Sequence, residues 1–293
     1  MKHNIRTCWF RGRCFSFFFA PTGLLSGAVV WCYCRSIGSR PQASPCNVLP
    51  VPKMHDPKAI EILIDDPWFL VVNKPIDLLT QAIDTLPSLQ SRLIEQQTNE
   101  ANPEPFIGIP HRLDRMTSGT VVVARNRKSL RQLCQQFATR IVGKEYLAWV
   151  SGNPPSQGAW EDSMRKVPNE PRAELSSLDQ EHSRTATLEY RVLRQRTGPK
   201  NQLESLLLIQ LGTGRMHQIR LQCGSRGFPI LGDRLYGSQK PWIPETGTPN
   251  PEYREPPIAL HAFRLTFHHP QTAERISATA PPPAEFPWGN EPL

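Results

Sequence analysis

Acidic residues are missing from the first 55 positions of this 293-residue chain, although seven lysines and arginines lie there. The other positions hold 27 basic and 26 acidic residues, so the formal net charge of +8 falls to +1 for the rest of the chain. A body so close to neutral exerts little overall attraction on a polyanion. A nucleic-acid surface would therefore have to come from a local arrangement of basic side chains.

Cysteine is scarce after the first 55 positions. Of the seven cysteines, only Cys134 and Cys223 follow position 46. Two distant thiols lack the Cys-x-x-Cys or Cys/His spacing of a zinc site, and they are typical of a protein in a reducing compartment. We therefore expect a cytoplasmic protein that binds no metal.

Residues 1–54 are interpreted as an N-terminal extension and are left out of the fold prediction. A run without charge extends from Cys14 to Cys34 and follows several basic residues. This profile fits a secretory signal, a short membrane anchor or an organelle transit peptide. Pro21 interrupts the run, and Met54 directly precedes the first regular pattern, so a false start upstream of Met54 or a disordered segment fits as well. An organelle or membrane-targeting role for the extension stays open.

Short alternating and β-branched runs begin at Ile60 and predict a body rich in β-sheet. The predicted strands are EILI (61–64), WFLVVNKP (68–75), TVVVAR (120–125), EYLAWV (145–150), TLEYRVL (187–193), SLLLIQL (205–211) and HQIRLQC (217–223). Apolar residues at helical spacing between Leu130 and Ile141 predict one helix with a buried side, beginning near Asn126 and ending before Gly143.

Four polar or proline-rich segments separate or follow these elements. Residues 84–106 and 151–183 are interpreted as surface insertions, and residues 241–257 as an irregular loop. Residues 281–293 are expected to form a tail that packs through Phe286 and Trp288.

A carboxylate between two guanidinium groups is the first candidate for chemistry. Asp114 lies in PHRLDRMTSG (110–119) between Arg112 and Arg115, and nearby opposite charges favour the ionised form of a carboxylate. A surface ion-pair cluster would give the same pattern. However, Gly119 and an apolar strand follow at once, which predicts a tight turn that holds Asp114 on a rigid support.

A second basic cluster lies in LGTGRMHQIRLQC (211–223). Its glycines predict a tight turn, and the alternation that follows predicts a strand with Arg215 and His217 on one side and Arg220 on the other. The Gly-x-Gly is not a dinucleotide-binding loop, because His217 replaces the third glycine and no helix is expected after it. Taken alone, His217 is more often a hydrogen-bonded structural histidine than a general base.

Six segments with chemistry-bearing or turn-forming residues occur in a fixed order. They are VVNKP (71–75), HRLDRMTSG (111–119), GKEYLAWVSG (143–152), TGRMHQIR (213–220), PILGDRLYG (229–237) and LHAFRLTFHHPQT (260–272). Together they resemble the RluA-like family of pseudouridine synthases. The resemblance implies one α+β catalytic domain over residues 55–293, with a mixed sheet flanked by helices and an RNA-binding cleft. The chain departs from the family pattern at Met116, at Met216 and at IDLL (76–79), where a glycine-containing turn is usual.

The resemblance also implies a reaction, in which a uridine in RNA is isomerised to pseudouridine without a metal or organic cofactor. Asp114 would be the catalytic aspartate, and Arg220 would pair with it. Arg112 would enter the RNA stack in place of the flipped nucleotide, while Tyr146 would stack on the target uracil. Candidates for RNA phosphate contacts are Lys74, Arg115 and Arg215.

The expected partner is a structured ribosomal or transfer RNA, and the protein is expected to be a monomer without a membrane partner. One alternative is a catalytically inactive RNA-binding protein of the same fold. Another is a glycoside-cleaving hydrolase, which would need a second carboxylate near Asp114. Asp233 is the candidate for that role, although we expect it to be structural. Whether Asp114 attacks the sugar or removes its 2′ proton stays open.

Overall fold

The computed structural model describes residues 6–10, 13–17, 59–81, 86–198, 201–239, 257–283 and 288. Tertiary contacts divide the chain into two units, Met1–Met54 and His55–Leu293. In the first unit, strands β1 (Arg6–Phe10) and β2 (Arg13–Phe17) pair antiparallel. Across the described residues, no helix is long and apolar enough to span a membrane.

The second unit is built on a sheet that has ten strands among its described residues. These are β3 (Glu61–Asp65), β4 (Phe69–Lys74), β5 (Ser118–Ala124), β6 (Gly143–Ser151), β7 (Gln157–Lys166), β8 (Ala173–Leu175), β9 (Arg184–Thr197), β10 (Leu203–Leu211), β11 (Leu260–His268) and β12 (Arg275–Thr279). The helices are α1 (Leu89–Gln97), α2 (Arg127–Ala138) and α3 (Gln218–Ser225), with a 3-10 turn at Arg234–Tyr236.

The strand order is β3-β4-β5-β11-β6-β10-β9-β7-β8, and β12 pairs with β11. Strands β5 and β11 run parallel, with His261 opposite Ser118, whereas the other neighbouring strands run antiparallel. Strand β5 is buried along its whole length, as its apolar sequence predicts. The prediction of an α+β domain with a mixed sheet is confirmed.

Most of the predicted elements form where the pattern placed them. Six of the predicted strands correspond to β3, β4, β5, β6, β9 and β10, and the predicted helix corresponds to α2. Asn126 caps α2 by accepting the backbone N–H of Ser129 at 2.8 Å. Trp288 is buried and packs edge-on against His261, as expected of the tail. Phe286 and residues 240–256 lie outside the described residues.

The two segments interpreted as surface insertions are instead part of the fold. Residues 84–106 contain α1, which begins at the Ser88 cap and buries Leu89 and Leu93 completely. Residues 151–183 supply β7 and β8, and Met164 of β7 is buried. Their polar composition misled the prediction because a short helix or an antiparallel strand with one solvated face needs only a few apolar residues on its other side.

The prediction of a strand at residues 217–223 is wrong, because α3 occupies this segment. Ile219, Leu221 and Cys223 alternate with polar residues, but all residues from Gln218 to Cys223 are buried. A helix that is enclosed on all sides has no polar face, so its period of 3.6 residues is absent from the sequence. The expectation that no helix follows the Gly-x-Gly turn is therefore wrong as well.

Candidate active site

A cavity of about 680 Å³ lies where the two basic clusters of the sequence meet. It is bounded by the segment before β5, the start of α3, the 3-10 turn and the loop after β4. Seven of its lining residues carry charged or titratable side chains: Arg112, Asp114, Arg115, His217, Arg220, Asp233 and Arg234. Residues about one hundred positions apart in sequence thus share one site.

Asp114 occupies a turn whose backbone is fixed from both sides. The N–H of Thr117 donates to the carbonyl of Asp114 at 3.1 Å. The hydroxyl of Thr80 donates to the carbonyl of Leu113 at 2.8 Å and accepts the N–H of the same residue at 3.1 Å. The carboxylate itself is 27% exposed and faces the cavity, so a rigid support presents it to a ligand.

Gly119 joins this turn to the sheet by a close backbone approach. Its φ is +114°, and a Cβ atom at this position would lie 2.2 Å from the carbonyl oxygen of Ala262 in β11. No L side chain fits here, which agrees with the tight approach that the sequence indicated. The parallel pairing of β5 with β11 therefore depends on glycine at this position.

Arg220 projects from α3 and contacts two carboxylates. Its Nη1 lies 3.7 Å from Oδ2 of Asp114, while its Nε and Nη2 donate to the two carboxylate oxygens of Asp233 at 2.7 and 2.9 Å. Burial alone would lower the pKa of Arg220, but Asp233 and Asp114 outweigh this effect and raise it. The cation is therefore held permanently beside Asp114.

Asp233 binds the Arg220 guanidinium, a role that the sequence did not indicate. It is 1% exposed, and both of its oxygens accept hydrogen bonds from Arg220. A carboxylate bound in this way orients the guanidinium and has no free oxygen directed at a ligand. A prediction of a helix instead of a strand at residues 217–223 could have indicated the Arg220–Asp233 pair. The helix brings Arg220 to Asp233, at the start of the 3-10 turn.

His217 is the second side chain of α3 that approaches Asp114. Its Nε2 lies 3.8 Å from Oδ2 of Asp114, and its Nδ1 shares a hydrogen bond of 3.0 Å with the hydroxyl of Tyr236. The residue has a left-handed backbone, with φ of 51°, and immediately precedes the helix. Since His217 and Arg220 are three positions apart on a helical turn, they share one face. The predicted placement on opposite sides is wrong.

Tyr146 lies in β6, opposite Ile209 of β10 and Ala262 of β11. Burial and the charge of Asp114 both raise the pKa of its phenol, so the hydroxyl stays protonated near neutral pH and lies within electrostatic reach of the carboxylate. Tyr146 is half-buried and packs against the cores on both sides of the site. It is not one of the described residues that line the cavity itself.

Lys74, expected to contact an RNA phosphate, lies inside the protein. Its ammonium has no exposed surface and donates to the carbonyls of Pro75, Leu78 and Arg115 at 2.8, 2.8 and 3.1 Å. Burial outweighs the attraction of nearby carboxylates and lowers the pKa of Lys74 to about 7. In its charged form this side chain donates all three protons to carbonyls, so it supports the Asp114 turn and has no donor left for a phosphate.

The other predicted arginines occupy three different environments. Arg112 is exposed at the cavity. Arg115 forms an ion pair of 2.7 Å with Asp77, whose left-handed backbone takes the place of the usual glycine turn. Arg215 donates from Nε to the carbonyl of Thr185 at 3.1 Å and lies outside the cavity lining of the described residues. Arg112 is therefore the most accessible of the three at the cavity.

The described residues contain no cluster of three or more His, Cys, Asp or Glu side chains suited to a metal ion. The charged groups of the cavity are instead arginines, of which Arg112 and Arg234 are exposed, and the Asp114 carboxylate, which lies between His217 and Arg220. Such an arrangement can bind an anionic, planar ligand and present one carboxylate to it.

Comparison with known proteins confirms the family resemblance. The family model described as RNA pseudouridylate synthase matches residues 68–225. Ribosomal large subunit pseudouridine synthase D of Xanthomonas campestris is 36% identical over 232 residues, which cover 78% of this chain and 67% of that protein. The dual-specificity RNA pseudouridine synthase RluA of Escherichia coli O157:H7 is 32% identical over 226 residues, which cover 75% and 92%.

A solved structure also matches this chain, and several relatives are longer than the chain. The structure of human RNA pseudouridylate synthase domain containing 1 matches with a TM-score of 0.60 and 28% identity, over 77% of this chain and 84% of that one. The chain spans 65% of the synthase D of Nitrosomonas europaea and 60% of that of Neisseria meningitidis serogroup A.

Proposed function

Because this chain belongs to the RNA pseudouridylate synthase family, we propose that it isomerises a uridine in ribosomal or transfer RNA to pseudouridine, with Asp114 as the catalytic carboxylate. One observation carries the proposal. Asp114 faces the cavity on a fixed turn, and the buried Arg220 lies 3.7 Å from it with Asp233 behind. The arginine is an electrostatic partner for the negative charge that nucleophilic or base chemistry requires of this carboxylate.

The reaction breaks the N1–C1′ bond of the uridine, turns the uracil and joins its C5 to C1′. It leaves the composition of the RNA unchanged, and the proton on C5 is the one that has to be removed. Asp114 begins the reaction by attacking the sugar or by removing its 2′ proton. Tyr146 stacks on the uracil, and its hydroxyl, which is protonated at neutral pH, helps to take the C5 proton by passing its own proton to a base such as Asp114.

Access to the target base requires that the nucleotide leave its stack. A base inside a helix or folded loop hides the atoms that react, and its extrusion costs a few kcal/mol of stacking. Arg112 is exposed at the cavity, and a planar guanidinium can occupy the vacated position in the stack. This placement supports a role for Arg112 in base flipping.

The proposed substrate class follows from the relatives, whose names specify the ribosomal large subunit in one case and dual specificity in another. We extend this to ribosomal or transfer RNA for the present chain. We also propose that it acts as a cytoplasmic monomer without metal or organic cofactor.

A hydrolase would need a second carboxylate able to act on water near the sugar. Asp233 is the nearest candidate, and both of its oxygens already accept hydrogen bonds from Arg220. This engagement argues against the hydrolytic alternative.

Asp114→Asn is expected to abolish pseudouridine formation while the protein stays folded and binds RNA, because the substitution removes the charge and preserves the shape. Asp179→Asn, at an exposed aspartate that does not line the cavity, serves as the matched control. Carbodiimide labelling of RNA after incubation detects pseudouridine, and RNA mass and free uracil are measured in the same samples. Near-wild-type conversion by Asp114→Asn would disprove the assignment, and release of uracil by the unaltered protein would favour the hydrolase.

A further inference from the structure

Four cationic side chains lie together outside the cavity. They come from four places in the chain: Arg140 after α2, Lys144 at the start of β6, Arg184 at the start of β9 and Arg215 before α3. A Cβ atom on Gly214 would be 3.6 Å from Nζ of Lys144, so this ammonium lies against the turn that carries Arg215. Arg215 in turn donates to the carbonyl of Thr185, the residue after Arg184.

These cations repel one another in the free protein. Burial lowers the pKa of Lys144, and the charges of Arg140 and Arg215 lower it further. The pKa of Arg215 is likewise lowered by burial and by the charges of Arg140 and Arg184. Within the described part of the chain, no carboxylate lies within ion-pair distance of any of the four. An arrangement of like charges without acidic partners costs free energy that a bound anion would recover.

Other arginines of the domain are arranged differently. Arg165, Arg226 and Arg264 each lie within 3.1 Å of a carboxylate on a neighbouring element. The cluster differs from these pairs because its cations have no carboxylate of the described residues within ion-pair distance and lie close enough to act on one another.

The cluster adjoins the candidate active site along two elements. Lys144 precedes Tyr146 by two residues in β6, so the two side chains point to the same face of the sheet. Arg215 precedes His217 by two residues. On the other side, Arg140 and Lys144 help to line a second cavity of about 540 Å³, whose lining also includes Glu161 and Glu189 of β7 and β9. These carboxylates limit the distance over which an anionic chain could continue across the sheet.

We propose that Arg140, Lys144, Arg184 and Arg215 form a binding track for the phosphodiester backbone next to the target uridine. This inference rests on the proposed function, because the track is placed to hold nucleotides that flank a base in the Asp114 cavity. Phosphate contacts of this kind fix the position of an RNA without reading its sequence. The track would also supply locally the attraction that the small net charge of the body does not provide.

The double variant Arg140→Gln and Lys144→Gln tests the track, and Lys128→Gln with Arg131→Gln on α2 removes the same charge elsewhere. Binding of an unmodified transfer RNA transcript and of an unrelated RNA hairpin is measured between 50 and 250 mM salt, concentrations at which counterion release is readily resolved. Each lost phosphate contact reduces the slope of log K against log salt by about 0.7 to 0.9. The slope measured for the track variant should therefore be smaller by about 1.4 to 1.8 on both RNAs, and the slope measured for the α2 variant should not change.

An unchanged slope in the track variant, or an equal loss in the α2 variant, would overturn the inference. Thermal melting of all proteins checks folding, and Arg184→Gln, at an exposed residue, provides a second test with an expected loss of about 0.7 to 0.9. Pseudouridine formation by the unaltered protein is assayed separately. If it forms pseudouridine and the slopes do not change, the track fails and the proposed function stands. If it forms none, the proposed function fails whatever the slopes show.

Discussion

Arg220 divides its guanidinium between two carboxylates of different exposure. Asp233 takes Nε and Nη2 in a buried pair, and Nη1 is left for the more exposed Asp114 at 3.7 Å. The planar fork is suited to this division, because one edge can be fixed while the other faces the ligand. The position of the cation beside Asp114 thus depends on a residue that does not face the reaction itself.

Asp233→Asn should therefore reduce activity through Arg220. The substitution removes the charge from a buried pair, and we expect a loss of up to about 3–5 kcal/mol of stability. Single-turnover pseudouridine formation should fall by about tenfold or more, since small misplacements of a catalytic group have large effects on rate. Both quantities are measured, by urea denaturation and by rapid quench at a temperature where the variant is folded.

Asp162→Asn provides the matched control for Asp233→Asn. Asp162 also forms a bidentate ion pair with an arginine at α3, Arg226, at 2.8 and 3.1 Å, but neither residue lines the cavity. This more exposed pair should contribute about 1 kcal/mol or less. A rate loss in Asp162→Asn equal to that in Asp233→Asn would show that the effect comes from weakening α3 in general, and would contradict positioning through Arg220.

Arg112 and Tyr146 should respond differently to the structure of the RNA. Arg112→Ala is expected to lose much of its activity on a folded RNA and less on a short flexible RNA, because the guanidinium acts while the base is extruded. Tyr146→Ala should be defective on both, since the stacking partner is lost. Tyr146→Phe keeps the ring, so its RNA affinity should change by well under about 1–3 kcal/mol.

Single-turnover rates and affinities on a matched pair of folded and unfolded RNAs decide between these roles. Equal fractional losses for Arg112→Ala on the two RNAs would contradict base flipping by this residue. Unimpaired chemistry in Tyr146→Phe would limit Tyr146 to stacking. Both substrates should contain the uridine that the unaltered protein modifies, so that the comparison concerns extrusion alone.

At this scale, the sequence predicted which residue types meet but not how deeply they are buried. Asp114, Arg112 and Arg220 were named from motifs, and they line one cavity. Lys74 was misplaced because a lysine after an apolar strand is usually solvated, whereas here three carbonyls bind its ammonium. Only the tertiary fold brings those carbonyls together.

Among the elements, α3 differs most from the sequence prediction, because a helix forms where a strand was expected. This difference also matters most for the site, since the helix places His217 and Arg220 beside Asp114. The side chains of Gln218 and Gln222 hydrogen-bond with each other and with the carbonyls of Thr187 and Ala186. These bonds allow polar residues to be buried, so polarity no longer indicates exposure. Strands with apolar runs, such as β5, were predictable because burial and composition agree there.

Two histidines link elements of the sheet and should make stability depend on pH. Nε2 of His111 accepts the N–H of Val122 in β5, and burial together with the charge of Lys144 lowers its pKa to about 3. His261 in β11 lies 2.9 Å from the hydroxyl of Ser118, and burial lowers its pKa to about 4. Because both folded pKa values lie below the unfolded value of about 6.5, stability is complete above pH 6.5 and decreases as the pH falls towards 4.

Between pH 8 and pH 5.5, each of these histidines should lower the free energy of unfolding by about 1.4 kcal/mol. His111→Gln preserves an acceptor for Val122 and should remove about half of the combined loss. His182→Gln, at an exposed histidine, should leave the pH dependence unchanged. Urea denaturation at the two pH values measures these differences, and a pH dependence in His111→Gln equal to that of the unaltered protein would refute the assignment.

At the scale of the whole molecule, the sheet assembles the site from distant parts of the chain. The parallel contact of β5 with β11 places the Asp114 turn beside a strand some 140 residues later, next to β6 with Tyr146. Such long-range pairing cannot be inferred from periodicity, which is a local property. The family resemblance, which the relatives confirm, implied that Arg220 pairs with Asp114 and that Tyr146 stacks on the target uracil, but it did not specify which strands pair.

The boundary near Met54 leads to the last prediction. Acidic residues begin only after it, regular patterns start at Ile60, and the family match starts at residue 68. A protein that begins at Met54 is therefore expected to fold and to keep full activity.

A second protein that begins at Phe69 lacks β3, which pairs with β4 from Glu61 onwards, and should be less stable. Thermal melting and pseudouridine formation are measured for both proteins and for the full chain. If the protein beginning at Met54 is insoluble or inactive while the full chain works, residues before Met54 belong to the enzyme, and mass analysis of the native N-terminus then identifies which of them remain.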